Sequence, residues 1–333
     1  MSERIRVGIV GYGNLGKGVR KALSRNDDFK LEAIFTRRDP ARMAIDEGGI
    51  AAGAKFVPLS DVHDHAGAIE VMILCGGSAA DLPEQGPALA ALFNTVDSFD
   101  NHARIPVYFD RIDKVARGAN TLSLVSAGWD PGLFSLNRLL SACLLPGGMS
   151  HTFWGKGVSQ GHSDAIRKVE GVRDGIQYTI PLQEALERVR RGDNPHLTAA
   201  EKHRRLCFVV PEKDADLKMI ESSIKKMPAY FADYETEVHF ISAEELKREH
   251  GGMPHGGMVI GTGTTGEAGH RQRIEFGLNL ESNPEFTGSV LVAYARAVHR
   301  LSGEGRKGAL TVFDIPFAYL SPCPASWLRK ELL

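Results

Sequence analysis

Three glycines, Gly11, Gly13 and Gly16, have the spacing of a phosphate-binding turn between a strand and a helix. The apolar run at residues 5–10 predicts a buried parallel strand, and apolar residues at helical spacing over 15–23 predict the helix. Gly11 permits the tight turn, Gly13 lets a pyrophosphate approach the backbone, and Gly16 lets the helix pack on the strand. Such turns also occur in proteins that bind no nucleotide, but a second predicted strand at 31–35 completes a dinucleotide-binding unit.

The residues after the second predicted strand select the dinucleotide. A unit that binds NAD carries an acidic residue about 20 residues further along, which accepts the ribose 2′-hydroxyl. This chain has Thr36 there, followed by Arg37 and Arg38. The two guanidinium groups suit a 2′-phosphate, which a carboxylate would repel. Two adjacent arginines can also form a solvated corner, but the missing acid favours the phosphate and predicts NADP in preference to NAD.

Polar or glycine-rich segments follow three further predicted strands, at 76–78, 97–102 and 128–132. Ligands of parallel sheets bind outside the carboxyl ends of the strands, so we expect these segments to meet in one cleft. The candidate cofactor-binding residues are Gly11, Tyr12, Gly13, Asn14, Leu15, Gly16, Thr36, Arg37, Arg38, Cys75, Gly76, Gly77, Ser78, Asp97, Ser98, Phe99, Ala127, Gly128, Trp129, Pro131 and Gly132.

The bulk composition excludes several functional classes. With 333 residues, 43% hydrophobic, and a formal net charge of -1, the chain has no basic field to attract nucleic acid or an anionic membrane. No run approaches the roughly 20 apolar residues of a membrane helix, and no signal peptide precedes the first strand, which predicts a cytoplasmic protein. Cys75, Cys143, Cys207 and Cys323 lie far apart, which favours reduced thiols over a disulfide frame or a metal site.

The rhythm of predicted elements indicates an α/β protein of two domains. Strands and helices alternate up to residue 128, which predicts a Rossmann-type, doubly wound parallel sheet. A helix near 132–145 and longer strand-like runs then predict a second α+β domain over 129–308 with a mixed or antiparallel sheet. The charged stretch 184–201 reads as an amphipathic helix and loop with a solvated face. Residues 266–270 resemble a hairpin tip, and 284–302 have helical spacing.

Six blocks together closely resemble the meso-diaminopimelate D-dehydrogenase family, and the resemblance runs through nearly the whole chain. They are residues 11–16 (GYGNLG), 95–102 (TVDSFDNH), 126–132 (SAGWDPG), 151–155 (HTFWG), 159–164 (SQGHSD) and 253–257 (MPHGG). The resemblance implies reversible oxidation of the D-centre of meso-2,6-diaminopimelate with NADP, releasing ammonia. The product, L-2-amino-6-oxopimelate, cyclises to tetrahydrodipicolinate for lysine biosynthesis. It also implies a homodimer and a return of residues 309–333 to the dinucleotide-binding domain, 1–128.

The resemblance also implies the site residues. It implies that two carboxylates, Asp100 and Asp130, lie near the reacting amine. It also implies that the substrate is contacted by Trp154, Gln160, Gly161, Thr179, Arg205, His255 and Asn283. Meso-diaminopimelate has two ammonium and two carboxylate groups, so acids, bases and neutral hydrogen-bonding groups are all expected. Structural roles compete with these: a turn at Asp130-Pro131, a loop histidine at 255, a core aromatic at 154 and a helix cap at 283. His162 is a possible ligand that more simply orders its loop.

The chain departs from the family pattern at Phe99, where a tyrosine is usual, and in extra residues near Gly266. Asp100, Asp130 or a bound water can take the proton of the amine, and the sequence does not choose among them. A broader D-amino-acid dehydrogenase and a non-catalytic NADP-binding sensor are the alternatives. A sugar dehydrogenase is disfavoured because a Glu-Lys-Pro segment is missing after the fifth strand. A dihydrodipicolinate reductase is disfavoured by the lack of a stretch rich in paired histidines.

Overall fold

The computed structural model describes residues 4–46 and 55–333. The chain divides into two compact units. Unit 1 comprises Met1–Leu136 and Pro284–Leu333, and unit 2 comprises Asn137–Asn283. Over the described residues, no helix is both long and apolar enough to cross a lipid bilayer.

The secondary-structure elements follow the predicted rhythm. The strands are β1 (Ile5–Val10), β2 (Phe29–Thr36), β3 (Lys55–Pro58), β4 (Val71–Leu74), β5 (Asn94–Asp97), β6 (Leu122–Leu124), β7 (Met149–Trp154), β8 (Gly157–Val158), β9 (Val172–Pro181), β10 (His203–Pro211), β11 (Thr236–Phe240), β12 (His255–Thr265), β13 (His270–Leu280) and β14 (Gly308–Leu310). The α-helices are α1 (Asn14–Leu23), α2 (Pro40–Asp46), α3 (Leu82–Ala90), α4 (Ile105–Ala119), α5 (Leu133–Leu144), α6 (Gln160–Arg167), α7 (Gln183–Arg190), α8 (Ala199–Lys202), α9 (Leu217–Lys225), α10 (Ala243–His250), α11 (Asn283–Gly303) and α12 (Ala325–Leu332).

Unit 1 is built on a parallel sheet of seven strands in the order β14-β6-β5-β4-β1-β2-β3. All four residues of β4 are fully buried, as expected for a strand covered by helices on both faces. The chain leaves β1 toward β2 and β3 and then returns to β4 on the other side of β1. The resulting switch point between β1 and β4 is where such sheets bind ligands. The predicted Rossmann-type class is confirmed.

The chain re-enters unit 1 earlier than expected, at residue 284 and not at 309, and leaves it at 136 and not at 128. The reason lies in α11, whose Leu291 and Ala295 are buried in the same core as β1. Glycines allow α1 and α11 to approach closely, since a Cβ on Gly18 would lie 2.2 Å from the carbonyl oxygen of Pro284. Arg296 on α11 is almost fully buried, and its Nε lies 2.6 Å from Oδ2 of Asp28. This ion pair stabilises the position of α11.

Unit 2 contains a four-stranded sheet, β11-β10-β9-β8, and a three-stranded sheet, β13-β12-β7. β10 and β11 are parallel and the other pairs are antiparallel, so the predicted mixed or antiparallel sheet is confirmed. The charged stretch 184–201 forms most of α7 and the start of α8. Residues 266–269 form the tip of the β12–β13 hairpin, where Gly266 and Gly269 have positive φ angles.

Candidate active site

The glycine turn after β1 uses its three glycines for different purposes. Gly11 has a φ of +88°, a left-handed conformation that favours glycine. A Cβ on Gly16 would lie 2.2 Å from the carbonyl oxygen of Gly11, so only glycine lets α1 approach the turn this closely. A Cβ on Gly13 would meet no atom within 4 Å. This open space at the N-terminus of a helix fits the pyrophosphate of a dinucleotide.

The segment after β2 brings a guanidinium group to the glycine turn. Thr36 is buried, and its Oγ1 accepts a hydrogen bond from the backbone N–H of Arg38 at 3.0 Å. The Arg38 guanidinium donates to the carbonyl oxygen of Tyr12. The neighbouring Arg37 side chain is 69% exposed, and its Nη1 lies 2.9 Å from Oδ1 of Asp81. Since a guanidinium has five N–H donors, Arg37 retains donors for a second anion.

Asp81 is a residue that sequence reasoning missed. Besides its pair with Arg37, its Oδ2 accepts a hydrogen bond from the backbone N–H of Gly77 at 3.0 Å. Asp81 therefore links Arg37, which follows β2, to Gly77, which follows β4. Its position just before α3 suggests a helix N-cap from sequence alone, which gives no indication of either partner.

Asp97, a candidate cofactor contact at the end of β5, turns its carboxylate inward. Oδ1 accepts hydrogen bonds from the backbone N–H of Phe99 at 3.0 Å and of Ser126 at 2.9 Å. Oδ2 accepts from the hydroxyl of Tyr108 at 2.7 Å. Burial raises the pKa of Asp97, while these three donors act in the opposite direction. We therefore assign the Asp97 carboxylate to holding the loops after β5 and β6, and not to contact with the cofactor.

The two candidate carboxylates lie on these loops. Asp100 is exposed, and its backbone N–H donates to Oγ of Ser78 at 3.1 Å, which joins the segments after β5 and β4. Asp130 is half-buried in the turn after β6. That turn needs glycine, since a Cβ on Gly132 would lie 1.8 Å from the carbonyl oxygen of Gly128. Of the segments that were expected to meet at this edge of the parallel sheet, those after β4 and β5 are in contact, and the N–H of Ser126, just before the third segment, donates to Asp97.

In unit 2, Arg205 on β10 lies opposite Thr179 on β9. It is only 7% exposed, and Nη1 donates to Oγ1 of Thr179. Its guanidinium carbon lies 3.8 Å from the centre of the Tyr234 ring, a cation–π arrangement. Burial lowers the pKa of Arg205. Within the described part of the chain, no acidic side chain pairs with it and its Nε has no acceptor, so it is suited to bind an anion.

Gln177 is a second residue that sequence reasoning missed. It is fully buried, its Nε2 donates to Oγ1 of Thr179 at 3.3 Å, and its Oε1 has no partner among the described residues. The alternation of side chains along a strand puts residues 177 and 179 on the same face, which was the available signal. His162 bonds through Nδ1 to Oγ of Ser159 at 2.7 Å, and burial near Arg205 lowers its pKa to about 4. A neutral His162 orders its loop.

Met253, also missed, joins two candidates of unit 2. Gln160 is exposed and precedes Gly161 at the start of α6. Its Nε2 lies 3.5 Å from Sδ of Met253. The backbone N–H of Asn283 donates to the carbonyl oxygen of Met253 at 2.9 Å. Met253 thus contacts both residue 160 and residue 283, which lie far apart in the sequence of the unit. A methionine before Pro254 carries no signal for this role.

His255 lies in close contact with the backbone, and Trp154 stacks on another side chain. Nδ1 of His255 accepts a hydrogen bond from the N–H of Gly256 at 2.8 Å. A Cβ on Gly157 would lie 2.5 Å from Cγ of His255, so glycine makes room for the imidazole. The indole of Trp154 stacks on His203, with ring centres 5.3 Å apart. Trp154 is half-buried, so it retains surface for a ligand.

The whole chain resembles known dehydrogenases. Residues 128–282 match the family model for the diaminopimelic acid dehydrogenase C-terminal domain. Meso-diaminopimelate D-dehydrogenase from Ureibacillus thermosphaericus is 59% identical over 331 residues, which cover 99% of this chain and 100% of the relative. A mutant of the Clostridium tetani E88 enzyme, solved with DAP, is 58% identical with a TM-score of 0.90, covering 99% and 100% of the two chains.

An engineered D-amino acid dehydrogenase bound to NADP+ is 42% identical with a TM-score of 0.84, and the match covers 99% of this chain and 100% of that one. The similarity therefore extends over the described residues of both units.

Proposed function

We propose a specific reaction for this chain, which belongs to the meso-diaminopimelate D-dehydrogenase family: oxidative deamination of the D-centre of meso-2,6-diaminopimelate with NADP. The products are ammonia and L-2-amino-6-oxopimelate, which cyclises to tetrahydrodipicolinate, and the reaction is reversible. The observation that carries the proposal is Arg205, a buried cation without an acidic partner among the described residues. A carboxylate at the far end of the diacid supplies the missing anion.

The cofactor is a nicotinamide dinucleotide, as in the family. We propose NADP in particular. The buried Thr36, the exposed Arg37 and the Arg38 guanidinium beside the glycine turn support it, because together they form a cationic site after β2 without an acidic residue at the end of that strand. The 2′-phosphate would bind there, and the pyrophosphate would lie at Gly13.

The bound cofactor accepts a hydride from the D-configured α-carbon. Before that transfer the ammonium must lose a proton, and Asp100 and Asp130 are the candidate acceptors, directly or through water. The α-carbon and nitrogen then form an imine, which water hydrolyses to the ketone and ammonia. The chain's own contribution is to bind and orient the diacid and to take the proton.

The remaining groups of the diacid match the polar side chains of unit 2. Arg205 and Thr179 suit the distal carboxylate, and Gln160, Gly161, His255 and Asn283 suit the other polar groups, with Trp154 packed against the chain. Holding the L-centre with several hydrogen bonds selects the D-centre for oxidation, because an analogue that lacks one group leaves a buried partner unpaired.

One assay tests the proposal. NADPH formation is followed at 340 nm with meso-, LL- and DD-diaminopimelate and with simple D-amino acids, each with NADP and with NAD. We expect turnover with the meso isomer and NADP alone. Turnover with many D-amino acids would instead show a broad D-amino-acid dehydrogenase, and cofactor binding without turnover would show a sensor.

We also propose a homodimer. α5 carries Leu139, Leu140 and Leu144, which are 44%, 48% and 55% exposed, an apolar surface that a second copy can cover. Sedimentation should give twice the chain mass of 36.3 kDa. Replacing Leu140 and Leu144 together by Glu should give the monomer mass, and a wild type that sediments as a monomer would contradict the proposal.

A further inference from the structure

The charged segment 184–201 has a fixed end next to the substrate side chains of unit 2. A capping box starts α8: Oγ1 of Thr198 accepts from the N–H of Glu201 at 3.2 Å, and the Glu201 carboxylate accepts from the N–H of Thr198 at 2.8 Å. The N–H of Leu182 donates to the carbonyl oxygen of Lys202 at 2.9 Å, which closes the segment on itself. The next residue, His203, therefore starts β10 from a fixed position.

The environment of His203 fixes its tautomer. The side chain is 1% exposed, and Nδ1 lies 2.9 Å from the carbonyl oxygen of Ala199 on α8. A carbonyl only accepts, so Nδ1 carries the proton and Nε2 is left as an acceptor. Burial also lowers the pKa of His203 to about 4, so the ring is neutral at neutral pH.

Nε2 of His203 bonds to Trp154. β7 is an edge strand of its sheet, so N–H groups on its outer side have no strand to pair with. The N–H of Trp154 donates to Nε2 at 2.8 Å. The imidazole also stacks on the indole at an interplanar angle of 24°. One residue thus holds both the backbone and the ring of Trp154.

We propose that His203 is the positioning residue of Trp154, and that segment 184–201 acts on substrate binding through this contact. The inference rests on the proposed function, in which Trp154 packs against the diacid. A side chain held by neighbours that do not touch the ligand is ordered before binding, so less conformational entropy is lost when the ligand binds.

Two substitutions separate the two ring nitrogens. His203→Gln keeps an acceptor near the position of Nε2, whereas His203→Asn keeps a donor near Nδ1 and removes the Nε2 acceptor from the N–H of Trp154. We expect Asn to raise the KM for meso-diaminopimelate about tenfold, the cost of losing one hydrogen bond, and Gln to restore most of it. The KM for NADP should stay unchanged. Equal effects of Asn and Gln, or equal changes in both KM values, would overturn the proposal.

A milder variant tests the role of the segment. Thr198→Ala removes the capping box of α8 and leaves His203 and Trp154 in place, so we expect a smaller rise in the same KM. The matched control is Ser242→Ala, which removes a similar cap, in which Ser242 Oγ accepts a hydrogen bond from the N–H of Glu245 on α10. If the His203 variants do not fold, Thr198→Ala and Ser242→Ala still test the role of the segment. Equal KM values for meso-diaminopimelate in these two variants would contradict that role.

A fluorescence measurement separates this inference from the proposed function because it needs no turnover. The emission of Trp154 is obtained as the difference between the wild type and Trp154→Phe. Without the stacked ring we expect this emission to shift to longer wavelength in His203→Asn. An inactive wild type would refute the proposed reaction, and an unchanged Trp154 emission would refute the role of His203.

Discussion

Arg205 shows how stability and binding oppose one another at a single residue. A buried guanidinium costs free energy unless an anion compensates it. The guanidinium of Arg205 donates to the hydroxyl of Thr179 and lies over the ring of Tyr234, and neither contact is with a carboxylate. We therefore expect Arg205→Met to raise the free energy of unfolding by about 1 kcal/mol while it raises the KM for meso-diaminopimelate at least tenfold. Urea unfolding and steady-state kinetics measure the two effects.

Arg205→Lys is the informative companion, because an ammonium keeps the charge and loses the planar pair of donors. We expect it to leave most of the KM defect in place. A Met variant that is less stable than the wild type would show that the guanidinium is already compensated within the fold.

Arg37 is a second single residue with a testable role in binding, and unlike Arg205 it lies on the surface. A charge-assisted hydrogen bond contributes about 1.5–3 kcal/mol, so Arg37→Ala should weaken NADP binding roughly 10- to 100-fold and leave NAD nearly unchanged. Calorimetric titration with both cofactors measures this. Arg42→Ala is the control, since Arg42 is also exposed and lies on α2, beyond the proposed phosphate site. Equal losses for NADP and NAD would remove the 2′-phosphate assignment.

The types of the candidate residues could be predicted from sequence, but their partners could not. Glycines, arginines and carboxylates after predicted strands were visible because strand ends are a local feature. Asp81 and Met253 act through contacts between segments far apart in the chain, and each has a common local explanation. Gln177 contacts Thr179 on its own strand, so its role had a local signal that was overlooked. For Asp97, the sequence shows a carboxylate after a predicted strand but does not show that Tyr108 lies against that carboxylate.

At the scale of elements, two glycines of the same turn have different purposes, one in folding and the other in cofactor binding. A Cβ at Gly16 would overlap a backbone carbonyl, whereas one at Gly13 would meet nothing in the chain. We expect Gly16→Ala to lower the free energy of unfolding by about 1–3 kcal/mol. Gly13→Ala should change it by less than about 0.5 kcal/mol and weaken NADP binding roughly tenfold or more. Thermal melts and cofactor titrations test both, and similar melting losses for the two variants would contradict the distinction.

Helix α11 shows the limit of periodicity as evidence. Its length was predicted within about two residues, because apolar residues recur at helical spacing. Its membership in unit 1 was not predicted, because it depends on a close approach between glycines 18 and 288, which lie on different helices. A hydrophobic pattern identifies the face that is buried and not the element that covers it.

At the scale of the whole molecule, buried histidines dominate the expected response to mild acid. The chain has 40 basic and 41 acidic residues, so self-repulsion is small near neutral pH. His162 and His203, both in unit 2, have pKa values lowered to about 4 by burial. In the unfolded chain their pKa returns to about 6.5.

The sign of the pH dependence follows from these values. Between about pH 4 and 6.5 the unfolded chain binds more protons at these histidines than the folded chain, so stability falls as the pH is lowered through this range. The lowered pKa of His203 corresponds to a loss of about 3 kcal/mol in the free energy of unfolding once the pH lies below both the folded and the unfolded pKa, at 1.36 kcal/mol per pKa unit. We expect His203→Gln to flatten the plot of unfolding free energy against pH between 6.5 and 4.5, and His270→Gln, at an exposed hairpin position, to leave it unchanged. Parallel plots for His203→Gln and the wild type would mean that the folded chain already accepts a proton at His203, in conflict with an Nε2 that accepts the hydrogen bond of Trp154.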